Sequence, residues 1–249
     1  MLRIRFLRRH PAPGLWAADI GSGPGRFLPH IGPEGCRRVA LDLSQEMLLR
    51  IDSAANPSVH RVRGDGGIPP LARGGFANVA VLGNALGFAG RDSERLLNSA
   101  EELVAPEGRL LLEVVAGPGE RSRYLHRLPP KSAARLLRSP VEVVYRRTLR
   151  EGFAREPPRK PEEGEFRRFD PADLAEQLEA RGWVTEEILA VAPCLGASPD
   201  ALKAVRSDEK GWGHVVELEE RMGVVPDRWG SAAAVLLAFS RPPPTRPYD

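Results

Sequence analysis

Three carboxylates and a cluster of glycines carry the most readable chemistry in this chain. In "WAADIGSGPGRFLPHIG" (16–32) an apolar run ends near Asp19, and Gly21, Gly23 and Gly25 follow at a spacing of two, with Ser22 between the first pair. Glycine adopts positive φ without strain and lets the backbone approach a bound group closely. Asp42 closes "RRVALD", and Asp65 stands in "RGDGG" between Gly64 and Gly66. An ionised carboxylate is a pure acceptor, so Asp42 suits a pair of ribose hydroxyls and Asp65 the exocyclic amine of adenine. Asp19, two residues ahead of the first glycine, would repel a pyrophosphate but suits an ammonium group. The competing reading is the dinucleotide fingerprint G-x-G-x-x-G. Here Arg26 takes the place of the third glycine, whose absence of side chain permits close helix–strand packing. Asp42 alone does not separate the readings, because dinucleotide enzymes place an acid similarly. Taken together, the acids describe a cationic, unphosphorylated nucleoside.

Residues so far apart in sequence act together only if strands deliver them to one edge. Five apolar runs qualify: "LWAADI" (15–20), "RRVALD" (37–42), "SVHRVRGD" (58–65), "FANVAVLG" (76–83) and "GRLLLEVV" (108–115). Between them lie a short helix near 25–31, "QEMLLRIDSAA" capped by Ser44, and "SERLLNSAEELV" capped by Asp92. Each cap is a side chain able to accept from the free N–H groups of a first helical turn. Alternating strands and helices predict a parallel sheet covered on both faces. In such sheets ligands bind beyond the carboxyl ends of the strands, where all three acids fall. The rhythm changes over 116–165, which is basic and Pro-rich, with an amphipathic piece near 132–138, a strand-like "VEVVYRRTL" and the linker-like "EPPRKPEEGE". Helical order resumes in "FDPADLAEQLEARGW", with Asp170 as cap, Pro171 at the first helical position and Gly182 as the stop. "WVTEEILAVA" (183–192) and "AAVLLAFS" (233–240) are two further strands flanking a helix at "WGHVVELEERMG". The expected divisions are 1–115, 116–165 and 166–249, the last with a Pro-rich tail.

The 249 residues suffice for one large α/β domain or one domain with an insertion. The formal net charge of +3 is unevenly spread: residues 116–170 hold 14 Lys or Arg against 8 acids, and Arg3, Arg5, Arg8 and Arg9 crowd the start. Segregated basic charge favours anionic partners. Arg146 and Arg147 in "YRRTLR" are placed to grip a carboxylate or phosphate, whereas the lack of interleaved aromatics disfavours a stacking surface for RNA. Cys36 and Cys194 lie far apart with no metal-binding spacing, which argues against a disulfide framework or a zinc site. The N-terminus is charged without the apolar core of a signal peptide, and the apolar stretches are too short and Gly-broken to span a bilayer. The expectation is a cytoplasmic protein with no metal and no membrane partner; oligomeric state is not legible here.

S-adenosylmethionine carries an ammonium group, a sulfonium cation and no phosphate, and it meets the description above. The sequence accordingly resembles the class I S-adenosylmethionine-dependent methyltransferases of the small-molecule type. "AADIGSGPG" is similar to their glycine motif, "RVALDLSQEML" to the ribose segment, "VRGDG" to the adenine segment, "VAVLGNALGF" to the fourth-strand motif and "LVAPEGRLLLEV" to the turn before strand five. The resemblance covers 15–115 well and the C-terminal part more loosely. It implies a doubly wound, mostly parallel seven-stranded sheet with an antiparallel last strand, and a cap insertion after strand five. It implies that Gly21, Ser22, Gly23 and Gly25 pass the methionine moiety, with Asp19 near its ammonium. Asp42 then holds the ribose, Leu43 and Met47 line the nucleoside, and Gly64, Asp65 and Gly66 form the adenine edge. Asn84 faces the sulfonium end mainly through its backbone.

Two departures stand out. Only about fourteen residues precede strand one, so closure over the cofactor is expected from 116–165, and roughly forty residues separate the last two strands. The acceptor is expected to be a small and anionic molecule, with RNA or protein methylation through the basic insertion, or a non-catalytic binding module, as alternatives. "GNALGF" after strand four lacks the "DPPY"-like segment of enzymes that methylate base amino groups in DNA, and no Cys there offers the covalent route to pyrimidine C5. His60, His126, His214 and Tyr124 are candidate proton acceptors, among which the sequence makes no choice.

Overall fold

The computed structural model describes residues 2–52, 58–116, 166–191, 209–224 and 234–243, with Arg121–Ser122, Phe153–Ala154 and isolated positions between 131 and 138. Within these, nine strands form: β1 Trp16–Ile20, β2 Arg37–Asp42, β3 Val59–Arg63, β4 Phe76–Val81, β5 Val104–Val114, β6 Arg121–Ser122, β7 Phe153–Ala154, β8 Val184–Val191 and β9 Ala234–Ser240. Seven of them make one sheet in the order β3-β2-β1-β4-β5-β9-β8, parallel from β3 through β5, with the last strand antiparallel. The helices are α1 Leu2–Arg9, α2 Gln45–Leu49, α3 Ala85–Phe88, α4 Ser93–Leu103, α5 Pro171–Glu179 and α6 Glu209–Gly223.

The strands are buried for the reason their composition suggests. Ala17, Ala18 and Ile20 of β1, Val79 to Val81 of β4 and Leu110 to Leu112 of β5 are almost wholly excluded from water, as expected of central parallel strands. At the sheet edge, β3 is half-exposed along its length and carries His60, Arg61 and Arg63. The chain order reverses between β1 and β4, which neighbour each other although β2 and β3 intervene in sequence. Their outgoing loops part there and open a crevice at the carboxyl ends.

The chain divides into two compact units. The larger, residues 3–114, 164–187 and 236–249, carries β1 to β5 and α2 to α5. In it Ser44 caps α2, its hydroxyl accepting from the Met47 N–H at 3.3 Å, and Asp170 caps α5, accepting from the Ala172 and Asp173 N–H groups at 2.9 and 3.3 Å. Gly182, at φ +89°, ends the segment after α5 as expected. The smaller unit, residues 1–2, 115–163 and 188–235, contains α6 and the two-stranded antiparallel ladder β6-β7. The remainder of the expected cap, with Tyr124, His126, Arg146 and Arg147, lies outside the described residues.

Four local expectations are corrected. Residues 2–9, read only as charge, form helix α1: Leu2, Phe6 and Leu7 make an apolar stripe at helical spacing and are buried, while Arg8 is exposed. The helix expected near 25–31 is a turn followed by a three-residue 3-10 helix, Leu28–His30, because glycines at positive φ interrupt helical geometry. Asp92 precedes α4 without making a side-chain cap; its carboxylate lies 3.3 Å from Arg95 instead. The turn before strand five is absorbed as an irregularity within β5, where pairing with β4 jumps from Phe76↔Val104 to Asn78↔Arg109 and Glu107 takes φ +60°. The Asn78 side chain clamps the chain ahead of β1, accepting from the Ala12 N–H at 2.8 Å and donating to its carbonyl at 2.9 Å.

Phe6 has no exposed surface, so packing holds α1 alongside the ion pairs of Arg3 with Glu113 and Arg9 with Glu187. Phe6→Ala is expected to destabilise the protein by about 3–5 kcal/mol through lost burial and a residual cavity, measured as a shift in the urea unfolding midpoint.

Candidate active site

The glycine loop after β1 is built by backbone bonds to its neighbour β2. The N–H groups of Gly21 and Ser22 both donate to the Leu41 carbonyl, at 2.8 and 3.1 Å. Gly21, Gly23 and Gly25 take φ of +72°, +53° and +75°, the left-handed region that glycine alone enters freely. Packing accounts for two of them: a Cβ on Gly21 would meet Ala85 Cβ at 2.6 Å, and one on Gly25 would meet Leu28 Cδ1 at 2.7 Å. A Cβ on Gly23 would touch nothing within 4 Å. The backbone at that point is bare towards open space.

Asp42 ends β2 directly beside this loop. One carboxylate oxygen accepts from the Gly23 N–H and the other from the Ser44 N–H, each at 2.8 Å. These bonds orient the carboxylate and leave each oxygen a second lone pair. Asp65, after β3, accepts from the Gly67 N–H at 2.8 Å and from Arg95 Nη2 at 3.1 Å. Gly66 has no room for a side chain, since its Cβ would lie 2.6 Å from Leu96 Cδ1 and 2.7 Å from Ile20 Cγ2.

A cavity of about 290 Å³ lies along these strand ends, close to the lower end of the ~300–1,000 Å³ range of ligand pockets. Gly21, Asp42, Leu43 and the Gly64–Asp65–Gly66 run line it, as does Gly83 from the β4 loop. Its charged lining residues are Asp42, Asp65 and Asp92, with no Lys or Arg among the described residues that form its wall. Such a wall repels phosphate and attracts a cation. Leu43 and Phe88 line it while 68% and 73% exposed, so they offer apolar surface to an occupant. Met47, half-exposed on α2, is not part of the wall.

Asp19 stands behind the loop, almost wholly buried, and its Oδ1 has no hydrogen-bond partner. Burial, followed by the charges of Asp42 and Glu113, raises its pKa to about 7. Asn84, in the turn after β4, takes φ +63°, and its buried Oδ1 likewise lacks a partner. His60 stacks on Trp16 at 5.2 Å, in the first half of β3 and away from the residues lining the cavity. Sequence reasoning overlooked Phe88, which meets Phe166 edge-on at 5.1 Å, and Glu113, buried near the end of β5. The signal for Glu113 was an acid standing inside the apolar run "LLLEVV".

These residues fit S-adenosylmethionine: a buried carboxylate oxygen lacks a counterpart, glycines from the loops after β1, β3 and β4 line the cavity, and its lining holds no Lys or Arg. The sheet order, the antiparallel last strand and the acid-lined crevice define a class I S-adenosylmethionine-dependent methyltransferase, an enzyme that uses this cofactor. Residues 5–188 match the methyltransferase domain family, and the chain belongs to that family. No curated protein matches the chain.

Solved structures agree on the fold. An S-adenosylmethionine-dependent methyltransferase from Mesorhizobium loti is 18% identical, with 96% of each chain covered and a TM-score of 0.52. The Burkholderia thailandensis 1,6-didemethyltoxoflavin-N1-methyltransferase, solved with 1,6-didemethyltoxoflavin and S-adenosylhomocysteine, is 14% identical over 96% of this chain and 76% of its own, TM-score 0.52. Haemonchus contortus phosphoethanolamine N-methyltransferase 2, in complex with S-adenosyl-L-methionine, is 15% identical over 97% of this chain and 52% of its own, TM-score 0.55. Among the described residues no helix is long and apolar enough to cross a membrane, and no His, Cys, Asp or Glu group could hold a metal ion.

The raised pKa of Asp19 has a sign that can be checked. Between about pH 4 and pH 7 the folded protein keeps a proton that the unfolded chain has released, so this group lowers stability as pH rises through that window. Asp19→Asn, which cannot ionise, is expected to gain in melting temperature relative to the parent as pH increases from 5 to 8 in thermal scans without ligand.

Proposed function

We propose that the cavity holds S-adenosylmethionine and that the enzyme transfers its methyl group to a small, anionic acceptor. The donor, when bound, supplies a methyl carbon already activated by the adjoining sulfonium. The chain's residues therefore bind, align and exclude water rather than polarise the methyl. Asp19 faces the donor's ammonium, giving its unpartnered oxygen a cation. Asp42 accepts from the two ribose hydroxyls with the lone pairs that Gly23 and Ser44 leave it. Asp65 accepts from the adenine amine at an edge formed with Gly64 and Gly66. Leu43 and Phe88 cover the nucleoside, with Met47 on α2 outside the cavity wall. Gly21, Ser22, Gly23 and Gly25 let the backbone follow the methionine chain, and the Asn84 turn borders the sulfonium.

The observation that carries this reading is the acid-lined cavity, free of cations in its wall, with an unpartnered carboxylate oxygen behind its loop. An anionic acceptor is supported by the excess of 14 Lys or Arg over 8 acids in residues 116–170. Both the toxoflavin and phosphoethanolamine enzymes show that proteins of this fold take small acceptors, the latter one that bears a phosphate.

Calorimetric titration tests the donor half. Wild type is expected to bind S-adenosylhomocysteine at micromolar concentration and NADH not at all. Asp42→Ala should weaken binding at least about a hundredfold, the equivalent of two hydrogen bonds to a charged acceptor. Gly23→Ala meets no neighbour but strains a backbone at φ +53°, so it should lower the melting temperature as well as weaken binding. A wild-type protein that binds neither the donor nor its demethylated product defeats the reading. Incubation with methyl-tritiated donor and a cell extract tests the acceptor half, label being expected in a dialysable product that chromatography separates from the unreacted donor rather than in retained RNA or protein.

A further inference from the structure

Glu113 is a buried charge that the scheme above does not use. It is 1% exposed, near the end of β5. Its Oε1 accepts from Nε and Nη2 of Arg3, at 3.0 and 2.7 Å, and its Oε2 accepts from the Gly83 N–H at 3.1 Å. One carboxylate thus joins α1, β5 and the loop after β4. The loop is an unusual one. Gly83 and Asn84 both take positive φ, +62° and +63°, a left-handed turn that glycine and asparagine enter more readily than other residues. Gly83 lines the cavity and Asn84 follows it.

Arg3 supplies the charge that makes this arrangement tolerable. A buried carboxylate without a partner is strongly unfavourable, and Glu113, like Asp42 of β2, is near enough to Asp19 of β1 for its charge to raise the Asp19 pKa. The bidentate contact from Arg3 neutralises Glu113 at one oxygen and leaves the other to fix the Gly83 N–H. Arg3 itself is held in reach because Phe6 and Leu7, on the same helix, are buried in the core.

We propose that Arg3 is a positioning residue for donor binding: through Glu113 it holds the Gly83–Asn84 turn against the cavity and makes docking of the N-terminal helix part of the donor site. The proposal rests on the reading of this cavity as the donor site. It transfers to α1 some of the ordering work expected of 116–165, through one hydrogen-bonded chain.

Amide hydrogen exchange in the ligand-free protein reads the turn directly. The Gly83 N–H is expected to exchange at least about tenfold faster in Arg3→Gln and in Glu113→Ala than in wild type, because its acceptor is loosened or removed. Titration with S-adenosylhomocysteine reads the coupling. Arg3→Gln should bind about tenfold more weakly, the loss of one charge-assisted contact, and Arg3→Lys should recover most of the affinity. The pH midpoint of binding should rise in Arg3→Gln, where Glu113 stands unneutralised beside Asp19 and Asp42, and return in Arg3→Gln/Glu113→Gln. Where Arg3→Gln does not fold, Glu113→Gln, which removes the charge that Arg3 pairs with, carries the same comparisons. Unchanged Gly83 exchange and unchanged affinity in folded Arg3→Gln overturn the proposal while leaving the donor site standing. Failure of wild type to bind overturns both.

Discussion

Negative charge held close together and away from water constrains the rest of this structure. Asp19, Asp42 and Glu113 sit at the ends of β1, β2 and β5, near enough for the latter two to perturb the first. Like charges in a poorly screened interior repel strongly, so each must be compensated. Glu113 has Arg3 and the Gly83 N–H, and Asp42 has the N–H groups of Gly23 and Ser44. Asp19 alone is left with an unpartnered oxygen, and a proton or a bound cation must satisfy it.

The sheet makes that concentration of acids possible. Parallel strands deliver successive carboxyl ends to one edge, and the reversal of order between β1 and β4 separates their loops enough to admit a ligand. The glycines then serve different ends. Gly21, Gly25 and Gly66 are small because neighbouring side chains press against them, whereas a Cβ on Gly23 would touch nothing within 4 Å. Similar letters in the motif thus answer to separate physical demands: side-chain packing at some positions, and backbone conformation alone at Gly23, whose φ is +53°.

Much of the fold was legible because its signals are local. Apolar runs, caps at Ser44 and Asp170, and the stop at Gly182 require only neighbouring residues, and they stand where periodicity and side-chain chemistry put them. The expectations that failed needed information from elsewhere in the chain. Charge masked the apolar stripe of Leu2, Phe6 and Leu7, so α1 was missed although its spacing was present. Asp92 has the side chain of a helix cap but a nearby arginine claimed its carboxylate. The expected turn before β5 became an irregularity because pairing with β4 began earlier than the apolar run suggested.

The amino-acid sequence by itself determined the donor class: three acids at strand ends and a glycine loop need no coordinates to disfavour a phosphate and favour a cationic nucleoside. Tertiary structure decided which of those groups are already satisfied. Only packing shows that Asp42 is gripped by two backbone N–H groups, that an oxygen of Asp19 is unpartnered, and that Arg3 reaches a glutamate 110 residues away. Sequence spacing reports which residues the strands will carry to an edge, but hydrogen-bond partnership and burial depend on contacts between distant segments, and these exist only once the chain has folded.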